Sequence, residues 1–270
     1  KYGAIIVVII FATFTTFLFL NQQEEDFKKE LHFITNTYLE RNKQRVKEET
    51  DEVYNFIVSE RTTAEKKLKE QIKNRVYEAH DIATNIFNHE SKPDIDGNLH
   101  SSEHIFNSIK YALGPIRFNN GRGYFFIDDI KGNKVLHPIK SLEGKNLLEF
   151  KDSNGYQFVK NIVKTIQNKT ETFDSYYWYK GTDTSKSYEK ISFYKYFEPF
   201  NVAIATGEYI DDFENDLKIK LINRIQNVKI GQNGYIFVAS TDGVVLSHLN
   251  KDFIGTNRIN VKNPNGKYIL

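Results

Sequence analysis

Lys190 sits in YEKISFYKYF, a run whose alternate positions include Tyr194, and a lysine aimed into an aromatic pocket is a good partner for an anion. Most strand lysines point to solvent instead, so both roles stay open at this level. Tyr176-Tyr177-Trp178-Tyr179 puts two aromatics on each face of a strand, so one pair can pack in a core while the other lines a cavity. Tyrosine hydroxyls and the indole N–H supply directional donors against an apolar wall, which is what orients a small polar ligand. Arg117, Arg122 and Tyr124 flank a strand that continues through Phe126. An arginine fork grips a carboxylate through two parallel hydrogen bonds, although arginines beside turns are commonly exposed. His137 is held extended by Pro138 after it, and its imidazole could donate to a carboxylate or bond nearby backbone as part of the fold. Asp128 and Asp129 could hold an amine, but an aspartate pair at a hairpin mouth more often serves the turn.

Other chemistry is poorly supplied. The chain has no cysteine, which removes disulfides, thiol catalysis and thiolate metal sites together. His100 and His104 have metal-like spacing, but a hydroxyl cap at Ser101-Ser102 would leave His100 outside the helix, so the two would not share a face. No phosphate loop, nucleophile elbow or zinc helix motif is present. Asp211 and Asp212 stand at a helix start, where the positive end of the dipole accounts for them. With 37 basic and 35 acidic side chains there is no broad field to attract nucleic acid.

The elements that must position these residues begin with an apolar run. Residues 2–20 carry no charge, and about 20 apolar residues at ~1.5 Å each match a hydrocarbon core of ~30 Å, so a transmembrane helix is expected over residues 1–20. Lys1 before it and Glu24, Glu25 and Asp26 after it place the N-terminus in the cytoplasm and the rest outside. Neither glycine nor proline occurs between Gly3 and Pro93, and apolar residues recur at Val46, Val53, Ile57, Ala64, Leu68, Ile72, Val76, Ala79, Ala83 and Ile86. That spacing predicts a long amphipathic stalk helix over residues 21–90, which must pack on a domain, on a second copy of the chain, or on both. A helix from Ser102 to about Leu113 follows, then a hairpin turning at Lys131-Gly132-Asn133 and strands over TFDSYYWY, YEKISFYKYF and NVAIATGEYI. Between them a helix is expected to start near Asp152, and another to run from Glu208 to Val228.

The hairpin is written twice. Residues 123–146 align without a gap to residues 234–257, 111 positions later, matching Gly123/Gly234, Tyr124/Tyr235, Phe126/Phe237, Gly132/Gly243, His137/His248, Gly144/Gly255 and Asn146/Asn257. A repeat at this period means two copies of one fold rather than a solenoid, and NPNGKYIL at the end reads as the second copy interrupted. The reappearance of His137 as His248 leans toward a fold requirement, since a ligand contact need not repeat.

Taken in order, GRGYFFIDDIKGNKVLHP, LEGKNLLEFKDSNG, YYWYKG, KISFYKYFEPF and ATGEYIDDF make the chain resemble the double Cache extracytoplasmic sensor domain of bacterial chemoreceptors and sensor histidine kinases. Phe193 and Asn201 stand where that pattern often has tyrosine and tryptophan. The resemblance implies an α+β fold: a transmembrane helix and long N-terminal helix, then two PAS-like modules with antiparallel sheets. The membrane-distal module would span residues 91–213, and the start of a truncated proximal one 214–270. It implies no catalysis outside the membrane, no cofactor and no metal. It also favours a pocket role for Lys190. The expected site comprises Arg122, Tyr124, Phe126, His137, Tyr176, Trp178, Lys190 and Tyr194. The expected ligand is a small organic acid, with an amino acid or amine as other possibilities, and the expected partners are the membrane and a second copy through the long helix. The alternative is an ectodomain that binds a protein partner and no small ligand.

Overall fold

A stretch without helix breakers gives one continuous helix, α1, Tyr2–Glu90, and it stops where Pro93 and the Asp94–Gly97 turn remove donors and bend the chain. The computed structural model describes residues 2–181, 183–231 and 234–270, with side chains from Ile10 onward. Among the described residues no helix is long and apolar enough to cross a membrane, and the side chains of residues 2–9, which open the expected span, lie outside those described. The chain forms two compact units, residues 59–221 and residues 1–58 with 222–270.

In the first unit, α2 (Ser102–Leu113) starts at Ser101, whose side chain accepts from the His104 N–H. Five strands follow: β1 (Phe126–Asp129), β2 (Lys134–Leu136), β3 (Glu171–Tyr179), β4 (Ser187–Phe197) and β5 (Val202–Tyr209). They pair antiparallel in the order β2-β1-β5-β4-β3. Strand alternation sorts their side chains into two layers. Ile127, Phe197, Val202 and Ile204 face α2 and the upper part of α1, with Ala79, Ala83, Ile105, Ile109 and Leu113 buried against them. Ile191 and Phe193 pack on Leu68, Ile72 and Val76 of α1, so the later part of the stalk's apolar stripe faces this sheet. The opposite face carries Phe126, Tyr176, Trp178, Tyr194, Ala203 and Ala205, covered by α3 (Phe158–Gln167) through Phe158, Val159, Ile162 and Ile166.

Three expectations need correction. α3 begins at Phe158 and not near Asp152, because the Asp152 carboxylate accepts from the N–H groups of Asn154 and Tyr156 and Gly155 has φ of 81°, a turn no helix can include. α4 (Ile210–Ile225) begins after Glu208 and Tyr209, which stay in β5 as partners of Ile191 and Lys190. His100 and His104 do meet: extended backbone at Ser101 lets the His100 ring stack on His104 with centroids 4.5 Å apart. Among the described residues no group of three ligating side chains gathers there or elsewhere.

The second unit holds the second copy of the hairpin, β8 (Val238–Ala239) with β9 (Val245–Ser247), preceded by the short pair β6 (Lys229–Ile230) and β7 (Gly234–Tyr235). Both hairpins carry a bulge at the same place and a left-handed turn glycine, Gly132 at φ 81° and Gly243 at φ 88°. The Asn146 side chain donates to the Lys131 carbonyl at 2.7 Å and Asn257 to the Asp242 carbonyl at 2.8 Å. The duplicated letters are therefore the scaffolding of the turn.

Candidate functional site

β3 and β5 both run antiparallel to β4, so their C-terminal ends lie at one end of the sheet, beside the start of β1 and the end of β2. A cavity of about 210 Å³ opens there, lined by Arg117, Arg122, Tyr124, Ile139, Lys180, Tyr209 and Asp212. Arg117 and Arg122 bracket a tight hairpin in which Asn119 and Asn120 have φ of 50° and 56° and the Gly121 N–H bonds the Phe118 carbonyl. Gly123 is obligatory at its end, because a Cβ there would lie 2.1 Å from the Phe118 ring.

Beneath the cavity floor lies Lys190, 1% exposed. Its ammonium donates to the Tyr124 hydroxyl at 2.8 Å and sits 4.0 Å from the Tyr124 ring centroid and 5.1 Å from that of Tyr209. Room for it comes from Gly207 on the neighbouring strand, where a Cβ would come within 2.9 Å of Lys190 Cε and 2.2 Å of Ser192 Oγ. No carboxylate pairs with Lys190 among the described residues. Burial, with Lys134 nearby, brings its pKa down to about 7 against the weaker pull of Glu208. Burial also pushes Tyr124 up to about 12.

His137 is 2% exposed and packs edge-on to Tyr124 and Trp178 at 5.5 and 5.8 Å. Its Nδ1 accepts from the Ile139 N–H at 3.1 Å, which leaves Nε2 to carry the proton of the neutral ring. Burial and the two lysines hold its pKa at about 2, so it stays neutral. The same bond recurs in the second copy, where His248 Nδ1 accepts from the Asn250 N–H at 2.9 Å and Nε2 lies 2.9 Å from the Tyr235 hydroxyl. A backbone-capping role is thus common to both histidines.

Of the eight residues expected from the sequence, Arg122 and Tyr124 line the cavity. Phe126, Tyr176, Trp178 and Tyr194 lie behind them in the layer under α3, with His137 and Lys190 between. Tyr176 stacks on Phe158 at 4.0 Å and its hydroxyl lies 3.0 Å from Ser192 Oγ. They are one cluster, but most of it supports the floor.

Sequence reasoning missed Lys134, buried and paired with Asp128 Oδ2 at 2.9 Å. The bulge between Ile127 and Asp128 turns Lys134 onto the Asp128 face, which simple alternation does not foretell. Only Asp129 serves the turn, accepting from the Lys131 and Asn133 N–H groups at 2.8 and 2.9 Å. Burial pushes the Asp128 carboxyl up, against the attraction of Lys134. Lys180 and Tyr209 were also missed. Lys180 bonds both Asp211 and Asp212, so those two acids do more than favour a helix dipole.

The family model for the Cache domain matches residues 23–270 of this chain. The sensor histidine kinase MctS of Rhizobium johnstonii is 31% identical over 91 residues, 33% of this chain and 19% of that protein. The methyl-accepting chemotaxis protein McpP of Pseudomonas putida is 25% identical over 99 residues, 36% of this chain and 18% of that protein. Those alignments therefore span about a fifth of either relative's length. Among solved structures, a methyl-accepting chemotaxis protein from Vibrio parahaemolyticus is 28% identical, with 58% of this chain and 98% of that one aligned at a TM-score of 0.47. A Cache chemosensory domain solved to explain carboxylic acid recognition is 24% identical over 53% of this chain and 92% of that one, also at 0.47.

Proposed function

This chain belongs to the Cache domain family, whose members are sensor modules without catalysis, and from that premise we propose that it is the extracytoplasmic sensing region of a transmembrane receptor for a short-chain carboxylate. The receptor would be a chemoreceptor or sensor kinase. Residues 2–20 would anchor it, residues 91–213 form the membrane-distal module that takes the ligand, and residues 214–270 begin the proximal one. Two copies would associate through the long helix.

The observation that carries the ligand class is the cation content of the cavity. Arg117, Arg122 and Lys180 line it; Arg122 and Lys180 are paired with α4 carboxylates, whereas Arg117 and, under the floor, Lys190 have no carboxylate partner among the described residues. Arg117 bonds only the backbone carbonyls of Gly114 and Ile116 and makes no ion pair among the described residues. A ligand carboxylate would accept from Arg117 and from the Tyr124 hydroxyl, with Lys190 supplying charge from behind. The space is below the roughly 300–1,000 Å³ of drug-sized sites, which favours a ligand of few carbons packed on Ile139 and the Tyr209 ring. Signalling would follow from different affinities for two arrangements of the helices, since equal affinity shifts nothing.

A thermal-shift and calorimetric screen of acetate, propionate, pyruvate, amino acids and simple amines tests this reading. At least one organic acid is expected to raise the melting midpoint, and Arg117→Ala to weaken its binding by about 10-fold or more. Stabilisation by amines alone, or by nothing in the screen, would overturn it, and the second outcome would favour a partner-binding ectodomain.

A further inference from the structure

Two of the cavity's cations are already engaged, and both engagements run to the same helix. Arg122 Nη2 lies 2.5 Å from Asp216 Oδ2, and its Nε, 3.9 Å from Glu208 Oε1, is buried without a hydrogen-bond partner among the described residues. Lys180 donates to both Asp211 oxygens at 2.8 and 2.7 Å and lies 2.9 Å from Asp212 Oδ1, while its ammonium rests on the Tyr188 ring at 4.4 Å. Asp211, Asp212 and Asp216 all belong to the first two turns of α4, with Asp212 and Asp216 four residues apart on one face. α4 is also the element through which the chain passes from the first sheet into the second copy of the hairpin.

Resting on the carboxylate reading above, we propose that Arg122 and Lys180 are shared between ligand and helix: an anion in the cavity draws them from the α4 carboxylates, so occupancy is read out as loosening of the start of α4. A guanidinium that forks onto Asp216 cannot offer the same two donors to a ligand, so the two acceptors compete. The movement belongs to the side chain. The hairpin that carries Arg122 is tied down by the Asn119 side chain, which donates to Glu208 at 2.5 Å, and by the Phe118–Gly123 backbone bonds. Competition of this kind is reciprocal, so whatever frees Arg122 from Asp216 must strengthen ligand binding by the same factor by which the ligand weakens the latch.

The test is amide hydrogen exchange across residues 210–225 of the full chain, with and without saturating acetate or propionate, in the parent, Asp216→Asn and Glu214→Gln. Glu214 faces Arg61 at 4.0 Å, so its substitution removes the same charge from α4 without touching the rim. In the parent the probe is expected to speed exchange in the first two turns of α4 several-fold. Asp216→Asn should show the faster exchange without probe and bind the probe about 3-fold or more tightly, with Glu214→Gln within 2-fold of the parent. A probe that raises the melting midpoint while α4 exchange is unchanged or slower overturns the latch and leaves the carboxylate reading standing. So does a probe-free Asp216→Asn chain that exchanges like the parent. If neither acid nor any other in the screen binds the parent, the carboxylate reading falls and the latch with it.

Discussion

At the scale of the residue, Lys190 is the expensive feature of this molecule. A buried ammonium that faces aromatic rings and one phenol, with no carboxylate to pair it among the described residues, is a stability cost that packing does not require. Its neighbour Gly207 has given up a side chain to make room. Lys190→Met is therefore expected to melt no lower than the parent while losing all stabilisation by a carboxylate, and a lower midpoint would show that the lysine serves the fold. The pH dependence follows in sign. With its pKa at about 7, Lys190 is charged below that pH and neutral above it, and a bound anion favours the charged form. Binding then takes up a proton, and calorimetry should find affinity about 10-fold weaker at pH 8 than at pH 6. Lys190 and the Tyr176, Trp178 and Tyr194 cluster were legible because strand alternation puts them on one face. Lys134 was not, because one bulge changes which face it meets, and no spacing rule announces a bulge. Arg122 was legible as a residue but not in its partner: Asp216 is 94 positions away, and only the tertiary fold brings the two together.

At the scale of the element, the duplicated hairpin separates framework from site. Its shared asparagine and histidine accept the same backbone N–H bonds in both copies, so a turn requirement accounts for their repetition. The two copies should then respond alike to the same insult. Gly132→Ala places a Cβ 3.0 Å from Leu148 Cβ at φ 81°, and Gly243→Ala places one 2.5 Å from Ile259 Cβ at φ 88°. Each is expected to cost about 1–2 kcal/mol of local stability from the left-handed backbone alone, with the second more because its contact is tighter. Amide protection measured separately over each hairpin checks this, and full protection in either variant would sink the framework account. The strands and the ends of α1 and α2 were readable from alternation, caps and breakers. The start of α3 was not, because the Asp152 carboxylate prefers the backbone of a turn to that of a helix, and it also accepts from the Tyr177 N–H on β3, a tertiary partner invisible in local sequence.

At the scale of the whole molecule, the proposal places everything after residue 20 outside the membrane, and the composition makes that directly measurable. The chain contains no cysteine, so a single introduced thiol can be followed without background. Ile95, fully exposed in the turn that ends α1, is a position where a thiol meets solvent and disturbs no packing. In cells producing the full chain, Ile95→Cys is expected to react with a maleimide that cannot cross the inner membrane, and the parent chain to stay unlabelled. The expectation derives from charge as well as from family. Lys1 precedes the apolar run and Glu24, Glu25 and Asp26 follow it, the arrangement that retains the positive end inside. The same cells, fractionated, should hold the chain in the membrane pellet until detergent is added, because an uncharged run from Tyr2 to Leu20 is long enough to match the ~30 Å hydrocarbon layer. Labelling that appears only after lysis would reverse the orientation and place the cavity in the cytoplasm, where a receptor for external carboxylates could not work. Recovery in the soluble fraction would remove the anchor, leaving the cavity as a site whose occupancy no longer has a membrane to signal across.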